Sequence, residues 1–278
     1  MKQLFDDISQ KTSKMVTNEY STSFSLGILF LNKNIRNDIY AIYGFVRFAD
    51  EIVDSFSGYD QEYLLAQFEF DLYNAIENKI SLNPILNSFQ NVMHKYAIDI
   101  DLVDTFMKSM AMDLSKVKYN KDAYEDYILG SAEVVGLMCL KVFTNGNQLN
   151  YEKLKPYAMR LGAAFQKVNF LRDLKDDYEN LGRSYFPTID LTNFTKHDKS
   201  RIEEEISEDF RVALEGIRKL PKNSRQGVYL AYFYYLKLFI KIKKTPAHKV
   251  LQERIRIPNS RKFLLMLQSV LRHQTNLL

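Results

Sequence analysis

The strongest constraint on the fold is the spacing of apolar side chains in the stretch from Asp38 to Phe56. Apolar residues recur there every three or four positions, at Ile39, Ile42, Phe45, Val46, Ala49, Ile52 and Val53. This periodicity predicts an amphipathic or largely buried helix. Only ten Gly and six Pro interrupt the 278 residues, which favours long helices over many short strands. We therefore expect an all-α fold.

Polar residues within the same stretch form a stripe on the predicted helix. They stand at positions i, i+4, i+7 and i+11, and are Tyr43, Arg47, Asp50 and Asp54. A second predicted helix, from Phe165 to Tyr178, repeats this design at i, i+3, i+7 and i+11 with Gln166, Asn169, Asp173 and Asp177. Side chains at these spacings share one helix face. Each helix therefore presents two aspartates one turn apart.

The two aspartate pairs point to a bound cation. For a single Asp-x-x-x-Asp pair, a solvated helix face is the commoner explanation. Both pairs here lie in strongly apolar helices. Burial there removes water from the neighbouring carboxylates, which also repel each other, and a bound cation would compensate for both costs. Magnesium is usually held by one or two carboxylates together with phosphate oxygens of a substrate. Arg47 can contact a phosphate, and Gln166 and Asn169 can orient ligands or water.

Charge and cysteine content narrow the function classes. The chain has 38 basic and 34 acidic residues, and this net charge of +4 does not indicate a nucleic-acid partner. Cys139 lies in an apolar run, which predicts a buried, reduced thiol and a reducing compartment. The chain shows neither a secretion signal nor an apolar run long enough to span a bilayer. We expect a cytoplasmic protein with a single domain over residues 1–278 and loops at Ser57–Tyr59, Asn145–Asn147 and Pro187–Lys199.

Beyond these patterns, the chain resembles a known family in five ordered segments: Tyr20–Phe24, Ala41–Asp54, Tyr127–Met138, Gln166–Asp177 and Arg183–Pro187. With them it resembles the squalene/phytoene synthase family, the head-to-head prenyl synthases, and most closely the bacterial phytoene synthase branch. The segment with the second aspartate pair is the most specific. Weaker similarity continues to the C-terminal part, at Tyr235 and Arg254–Pro258.

The resemblance implies an isoprenoid-synthase fold, a single helical bundle around a central apolar cavity. It implies metal ligands at Asp50, Asp54, Asn169, Asp173 and Asp177. It implies substrate-binding positions at Ser21, Phe24, Tyr43, Arg47, Gln166, Asn169, Arg172, Tyr185 and Tyr235. The catalytic set that it implies is Tyr43, Arg47, Asp50, Asp54, Asp173 and Asp177.

The activity that the resemblance implies is the condensation of two geranylgeranyl diphosphates through prephytoene diphosphate to phytoene, in carotenoid biosynthesis. Mg²⁺ is the expected cofactor, Mn²⁺ is an alternative, and NADPH is not expected. Condensation of farnesyl diphosphate to dehydrosqualene or squalene remains open, because it shares the same motifs. A non-catalytic helical protein that binds a prenyl lipid is the alternative from another class.

Three further observations leave alternatives open. The segment Gly130–Gly136 departs from the Gly-Thr pair and the arginine that many relatives carry before the Val-Gly step, so the shape of the middle of the cavity is not predicted. Asp113 follows Phe106 and Met110 at helical spacing, and it is either a substrate-proximal carboxylate or an exposed or capped one. The aromatic stretch Tyr229–Leu236, followed by lysines, is either a buried helix with a basic end or a peripheral membrane contact.

Overall fold

The computed structural model describes residues 1–115, 119–179, 185–187, 189 and 194–274, and side chains at 176–179, 259–261, 263, 273 and 274 lie outside the description. All regular elements in this part of the chain are helical, which confirms the all-α prediction. The α-helices are α1 (Lys2–Tyr20), α2 (Thr22–Leu29), α3 (Lys33–Ser55), α4 (Gln61–Asn78), α5 (Pro84–Tyr96), α6 (Ile100–Asp113), α7 (Lys121–Ile128), α8 (Val134–Phe143), α9 (Gln148–Glu179), α10 (Lys196–Lys219), α11 (Lys222–Lys244), α12 (Ala247–Val250) and α13 (Asn259–Gln274).

Helix α3 carries the first polar stripe. It begins five residues before the predicted start at Asp38, because Asn32 caps it by accepting a hydrogen bond from the backbone N–H of Asn34 at 3.0 Å. It ends at Ser55, where the predicted turn Ser57–Tyr59 follows. Six of the seven apolar positions of the stretch are buried as expected, and Val46 is partly buried. Phe45, for example, is fully buried and stacks on Phe89 with ring centroids 4.0 Å apart.

Helix α9 carries the second stripe and is much longer than the predicted segment from Phe165 to Tyr178. Between α7 and α8 the chain forms a π-helical turn, Leu129–Glu133, within the segment that departs from the family pattern. This turn packs closely on α9. A Cβ atom at Gly162 would lie 2.5 Å from the carbonyl oxygen of Ala132, so only glycine permits the observed approach.

The structure corrects one prediction about the later part of the chain and confirms one of two alternatives there. The loop predicted from Pro187 to Lys199 is wrong at its end, because α10 begins at Lys196. A capping box explains this start: Thr195 Oγ1 accepts a hydrogen bond from the backbone N–H of Asp198 at 3.2 Å, and Asp198 accepts one from the N–H of Thr195 at 3.0 Å. The aromatic stretch of α11 is a buried helix, since Tyr229, Tyr232, Phe233 and Tyr235 are each at most 5% exposed.

The buried apolar side chains form two clusters. One is built mainly from α1 to α6 and includes Phe45 and Phe106. The other is built mainly from α7, α9, α10 and α11 and includes Tyr127 and Phe170. The stripe of α3 thus belongs to one cluster and that of α9 to the other. In the part of the chain that the structure describes, no helix is both long and apolar enough to cross a bilayer.

Candidate active site

A cavity of about 360 Å³ lies between the two clusters. Its walls are mostly aliphatic and aromatic. They take Ile28, Leu31, Ile39, Ile42, Phe106 and Met110 from one cluster and Tyr127, Leu140, Leu154, Ile217 and Leu220 from the other. Polar stripe residues also line it, namely Tyr43, Arg47, Asp50, Gln166 and Asn169. Part of each stripe therefore faces a single apolar cavity, whereas Asp54 and Asp173 are not among the residues that line it.

Arg47 is the central cation of the α3 stripe. Its guanidinium forms ion pairs with Asp50 and with Glu51, and its Cζ lies 4.4 Å from the centroid of the Tyr20 ring. Burial alone would lower the pKa of Arg47, but the charges of the two carboxylates raise it above its ordinary value. Arg47 Nε is buried and has no hydrogen-bond partner among the described residues. The side chain is thus fixed in place while one of its donors remains available.

Asp50 lies in an electrostatically unfavourable position. Burial and the nearby Asp54 carboxylate raise the pKa of Asp50 to about 7, and Asp113 adds to this effect. The positive charge of Arg47 acts in the opposite direction. Near neutral pH a large fraction of this aspartate would carry a proton. A cation beside the three carboxylates would relieve the repulsion.

Asp113 is buried, with 6% of its surface exposed, so the alternative of an exposed carboxylate is wrong. Its carboxylate accepts hydrogen bonds from the hydroxyls of Tyr127 at 2.8 Å and of Tyr185 at 3.4 Å. Burial, together with the charge of Asp113, raises the pKa of Tyr127 well above its usual range. Tyr185, a predicted substrate-binding residue, stacks on Phe170 at 4.1 Å. Tyr185 therefore supports Asp113 from the side of the second cluster.

On α9, Asp173 is enclosed by arginines. Arg172 Nε donates to it at 3.0 Å, and Arg254 Nε lies 2.6 Å from its Oδ1. Burial alone would lower the pKa of Arg172, but the hydrogen bonds and charge of Asp173 raise it. Asp177 lies near the end of α9, and its side chain is outside the described part. Of the second aspartate pair, the structure therefore describes only the side chain of Asp173, which is paired with two guanidinium groups.

Aromatic side chains join the two stripes across the cavity. The ring of Phe24 lies 5.7 Å from that of Tyr43 on α3 and 5.8 Å from that of Tyr235 on α11. Phe165 of α9 stacks on Tyr235 at 4.0 Å, and the Tyr235 hydroxyl donates to Asn169 Oδ1 at 3.3 Å. These ring contacts connect α2, α3, α9 and α11 beside the polar stripe residues.

Ser21 fixes the position of this aromatic group. Its hydroxyl oxygen caps α2 by accepting the backbone N–H of Phe24 at 3.2 Å. Ser21 also lies near the Tyr43 hydroxyl, and its side chain acts to lower the pKa of that phenol. Burial raises the pKa of Tyr43 to about 12, so this phenol is neutral at physiological pH. Cys139 lies on the cavity wall and part of its surface is exposed, so the prediction of a buried thiol holds in part; desolvation raises the pKa of the thiol to about 12.

Among the residues that the structure describes, no group of three or more His, Cys, Asp and Glu side chains could hold a metal ion. Asp50 and Asp54 nevertheless form a pair one helical turn apart beside the cavity. Magnesium needs no more than such a pair when a substrate supplies further oxygens. The donor set fits a magnesium site that a diphosphate would complete.

Sequence spacing did not identify three residues that shape the site. Glu51 pairs with Arg47, and Tyr20 lies against its guanidinium. Arg254 reaches Asp173 across 81 positions of sequence. The first contact could have been predicted, because Glu51 stands at i+4 from Arg47 and opposite charges at this spacing can pair on a helix. The family resemblance included Tyr20 and Arg254 in matched segments but assigned them no role, since tertiary packing creates their contacts.

Comparisons with known proteins agree with this geometry. Residues 17–261 match the family described as "Squalene/phytoene synthase". The chain is 27% identical to a phytoene synthase from Arthrospira platensis, over 92% of this chain and 90% of that protein. It is 26% identical to the chloroplastic phytoene synthase 1 of Solanum lycopersicum, over 81% of this chain and 59% of that longer protein. It is also 24% identical to a 15-cis-phytoene synthase from Synechococcus elongatus, over 93% of this chain and 91% of that protein.

Solved structures show the same fold. A dehydrosqualene synthase superposes with a TM-score of 0.82 at 20% identity, covering 97% of this chain and 98% of the other. Squalene synthase HpnC from Alicyclobacillus acidocaldarius superposes with a TM-score of 0.74 at 19% identity, covering 85% and 93%. The chain therefore has the isoprenoid-synthase fold, as predicted.

Proposed function

The chain belongs to the squalene/phytoene synthase family, and from this premise we propose that it condenses two geranylgeranyl diphosphates head to head to give phytoene. Its curated relatives are phytoene synthases, which indicates a prenyltransferase. One observation carries the proposal: polar residues from two helices, Tyr43, Arg47 and Asp50 on α3 and Gln166 and Asn169 on α9, line one apolar cavity. An amphiphile with a charged head and a long hydrocarbon tail fits such a site.

The reaction proceeds in two ionisations. Loss of diphosphate from one substrate leaves an allylic cation, which the alkene of the second substrate attacks. Loss of a proton from the resulting cation closes a cyclopropane ring and gives the cyclopropyl diphosphate, prephytoene diphosphate. Loss of the second diphosphate, rearrangement and loss of a proton give phytoene. Both departures develop negative charge on diphosphate oxygens. Positively charged groups that are already in place before the reaction lower the activation barrier for diphosphate departure most effectively.

Arg47 and Arg172 are the residues that would bind diphosphate. Each is held by a carboxylate in the structure, so each is oriented before substrate arrives. One guanidinium group can also donate two parallel hydrogen bonds to a pair of phosphate oxygens, which the ammonium group of lysine cannot do. Gln166 and Asn169, on the cavity wall, would orient diphosphate oxygens or water.

Asp50 and Asp54, with Asp173, Asp177 and Asn169 on the opposite helix, would hold Mg²⁺ or Mn²⁺. The metal would stabilise the departing diphosphate as a Lewis acid. The raised pKa of Asp50 supports this assignment, because a carboxylate crowded by Asp54 and Asp113 gains most from a cation.

Phe24, Phe165 and Tyr235 would protect the cationic intermediates. Their rings lie together, 4.0 to 6.2 Å apart between centroids, and Phe24 and Phe165 line the cavity. Ring faces attract a cation without reacting with it. They also keep water away from the allylic cation, which water would otherwise convert to an alcohol.

The test incubates purified protein and Mg²⁺ with geranylgeranyl or farnesyl diphosphate, with and without NADPH, and identifies the hydrocarbon. We expect phytoene from the C20 substrate without any need for NADPH. Dehydrosqualene or squalene from the C15 substrate would instead support the second candidate, which the likeness to a dehydrosqualene synthase structure favours. Consumption of neither substrate would favour the non-catalytic lipid-binding alternative and refute the proposal.

Two variants, Asp50→Asn and Asp173→Asn, test the two-helix metal arrangement. Each removes one carboxylate while it keeps the shape of the side chain. We expect each to lose at least about 10²-fold in kcat. Turnover that survives in both variants would refute a metal held between the helices, even if the reaction itself were confirmed.

A further inference from the structure

The apolar cavity has an axis, because its polar lining residues lie at one end of the helices that form its walls. On α9 the lining residues run from Asn169 back to Tyr157 and Leu154. A helix rises about 1.5 Å per residue, so Tyr157 lies about 18 Å from Asn169 along α9. On α3 the lining runs from Asp50 back to Ile39, about 16 Å away. The cavity therefore extends from a polar end to a deep end, which is lined by Ile39, Leu154 and Tyr157.

Main-chain hydrogen bonds close one side of this deep end. The backbone N–H of Asn32, at the junction of α2 and α3, donates to the carbonyl of Asn223 in the first turn of α11 at 2.7 Å. Asn223 Nδ2 donates to the carbonyl of Phe143 at the end of α8 at 3.4 Å. Leu31, Phe143 and Val228, at or next to these contacts, line the cavity. The wall formed by α2, α8 and α11 is therefore fixed by backbone groups.

The Tyr157 side chain closes the side of the deep end between α9 and α10. It lines the cavity but is only half-buried, so it lies between the apolar interior and solvent. Lys219 Nζ, on exposed α10 surface, donates to the Tyr157 hydroxyl at 2.7 Å and lies 4.2 Å from the ring centroid. A Cβ atom at Gly216 of α10 would overlap the Cβ of Tyr157, so only glycine permits this close packing. The ring is therefore held between Lys219 and the backbone of α10.

We propose that Tyr157 is a specificity-determining residue, whose ring closes the deep end of the cavity and limits the length of the prenyl chain that the site accepts. This role rests on the proposed function, in which the diphosphate binds at the polar end and the hydrocarbon chain extends along α9. Prenyl diphosphates differ from one another by whole isoprene units, and one extended unit is about as long as one helical turn, about 5 Å. Loss of the Tyr157 ring would therefore admit a chain that is one unit longer.

Leu161 provides the reciprocal position on the same helix. It lines the cavity at i+4 from Tyr157, on the same face of α9 and one turn closer to the polar end. A larger side chain at Leu161 would shorten the space that is open to the hydrocarbon chain. Substitutions at these two positions should therefore change chain-length selectivity in opposite directions, whereas a loss of stability alone would affect all substrates alike.

The first experiment measures kcat/KM with Mg²⁺ for farnesyl (C15), geranylgeranyl (C20) and geranylfarnesyl (C25) diphosphate. Tyr157→Ala should raise the ratio of kcat/KM for C25 to that for C20 by at least about tenfold, and Leu161→Phe should raise the ratio of C15 to C20 by a similar factor. Tyr157→Phe keeps the ring, so its ratios should equal those of the wild type. The matched control Met159→Ala shortens a half-buried side chain of α9 outside the cavity lining, and it should leave both ratios unchanged.

A second experiment separates this role from the proposed reaction. Titration calorimetry with Mg²⁺ and non-ionisable prenyl thiodiphosphates of the same three lengths measures binding without turnover. Tyr157→Ala should lower the Kd for the C25 compound relative to that for the C20 compound by at least about tenfold. A wild type that consumes no prenyl diphosphate would refute the proposed function, whereas this change in relative Kd would still support the role of Tyr157. If the alanine variant did not fold, Tyr157→Leu should shift both ratios in the same direction.

Three results would overturn the proposal. If Tyr157→Ala changed kcat/KM and Kd by the same factor for all three chain lengths, Tyr157 would have only a structural role. If Met159→Ala shifted the ratios as far as Tyr157→Ala, any loosening of α9 would alter selectivity. If Tyr157→Phe shifted them as far, the effect would come from the hydrogen bond with Lys219 and not from the volume of the ring.

Discussion

The Arg47 side chain is held in a fixed orientation before any ligand binds. It is held by Asp50 and Glu51, lies against Tyr20, and keeps a buried Nε without a partner among the described residues. Arg47→Lys keeps the charge but loses the planar guanidinium. We expect kcat/KM for the prenyl diphosphate to fall by about 10².

The control for this variant is Arg36→Lys on the same helix. Arg36 Nε donates to the backbone carbonyl of Leu31 at 2.9 Å and is not part of the cavity lining. Steady-state kinetics should show wild-type values for this control. If Arg47→Lys retained full kcat/KM, Arg47 would have only a structural role in pairing with Asp50.

Glu133 offers a pH-dependent prediction. It lies on the π-helical turn, and burial raises its pKa to about 7, with Asp209 adding to the effect and Arg160 and Lys167 opposing it. A raised carboxyl pKa means that the folded state binds the proton more tightly than the unfolded state. Stability is therefore lost as pH rises from the unfolded pKa, near 4.5, through the folded pKa.

Replacement of this residue by glutamine removes that loss. We expect the advantage of Glu133→Gln over wild type in free energy of unfolding to grow between pH 5 and pH 8. The expected growth is about 1–2 kcal/mol once solvent screening is allowed for. Urea unfolding at both pH values measures it. A difference that does not change with pH would show that Glu133 has an ordinary pKa.

At the scale of elements, the approach of the π-helical turn to α9 sets the middle of the cavity. Gly162 on α9 and Ala132 on the turn both line the cavity, and a Cβ at Gly162 would lie 2.5 Å from the Ala132 carbonyl oxygen. Alanine normally favours a helix over glycine by about 1 kcal/mol. Here the clash is with backbone, which cannot rotate away. We expect Gly162→Ala to destabilise the protein by about 1–3 kcal/mol.

Chemical denaturation measures this effect, with Gly58→Ala as the control. A Cβ at Gly58 would meet no atom within 4 Å. The free energy of unfolding of the Gly58→Ala variant should therefore differ from that of the wild type by less than about 0.5 kcal/mol. A stabilised Gly162→Ala variant would mean that α9 and the turn can separate without cost.

The elements also show what sequence could and could not predict. Helical spacing predicted that Tyr43, Arg47 and Asp50 share one face, because an α-helix fixes that relation locally. The resemblance supplied the fold. The contact of Asp113 with Tyr185, 72 positions away, depends on how α6 packs against distant segments, and no periodicity encodes it. The roles assigned to the site residues remain predictions that the proposed variants test.

For the whole molecule, the position of the cavity between two hydrophobic clusters links ligand binding to stability. A ligand that contacts α3 and α9 together binds the folded state alone and so opposes unfolding. We expect Mg²⁺ with a non-ionisable prenyl thiodiphosphate, at about one hundred times its Kd, to raise Tm by about 5 to 10 °C. Differential scanning fluorimetry measures the shift, and Mg²⁺ alone should give a smaller one.

Asp50→Asn separates this coupling from simple binding of the hydrocarbon tail. The raised pKa of Asp50 means that its charge destabilises the fold near pH 8, so this variant without ligand should melt at or above the wild-type temperature. Its ligand-induced shift should nevertheless largely disappear, since the metal and diphosphate lose a carboxylate while the apolar walls are unchanged. If the full shift persisted, the tail alone would hold the two clusters together, and the α3 stripe would not take part in binding.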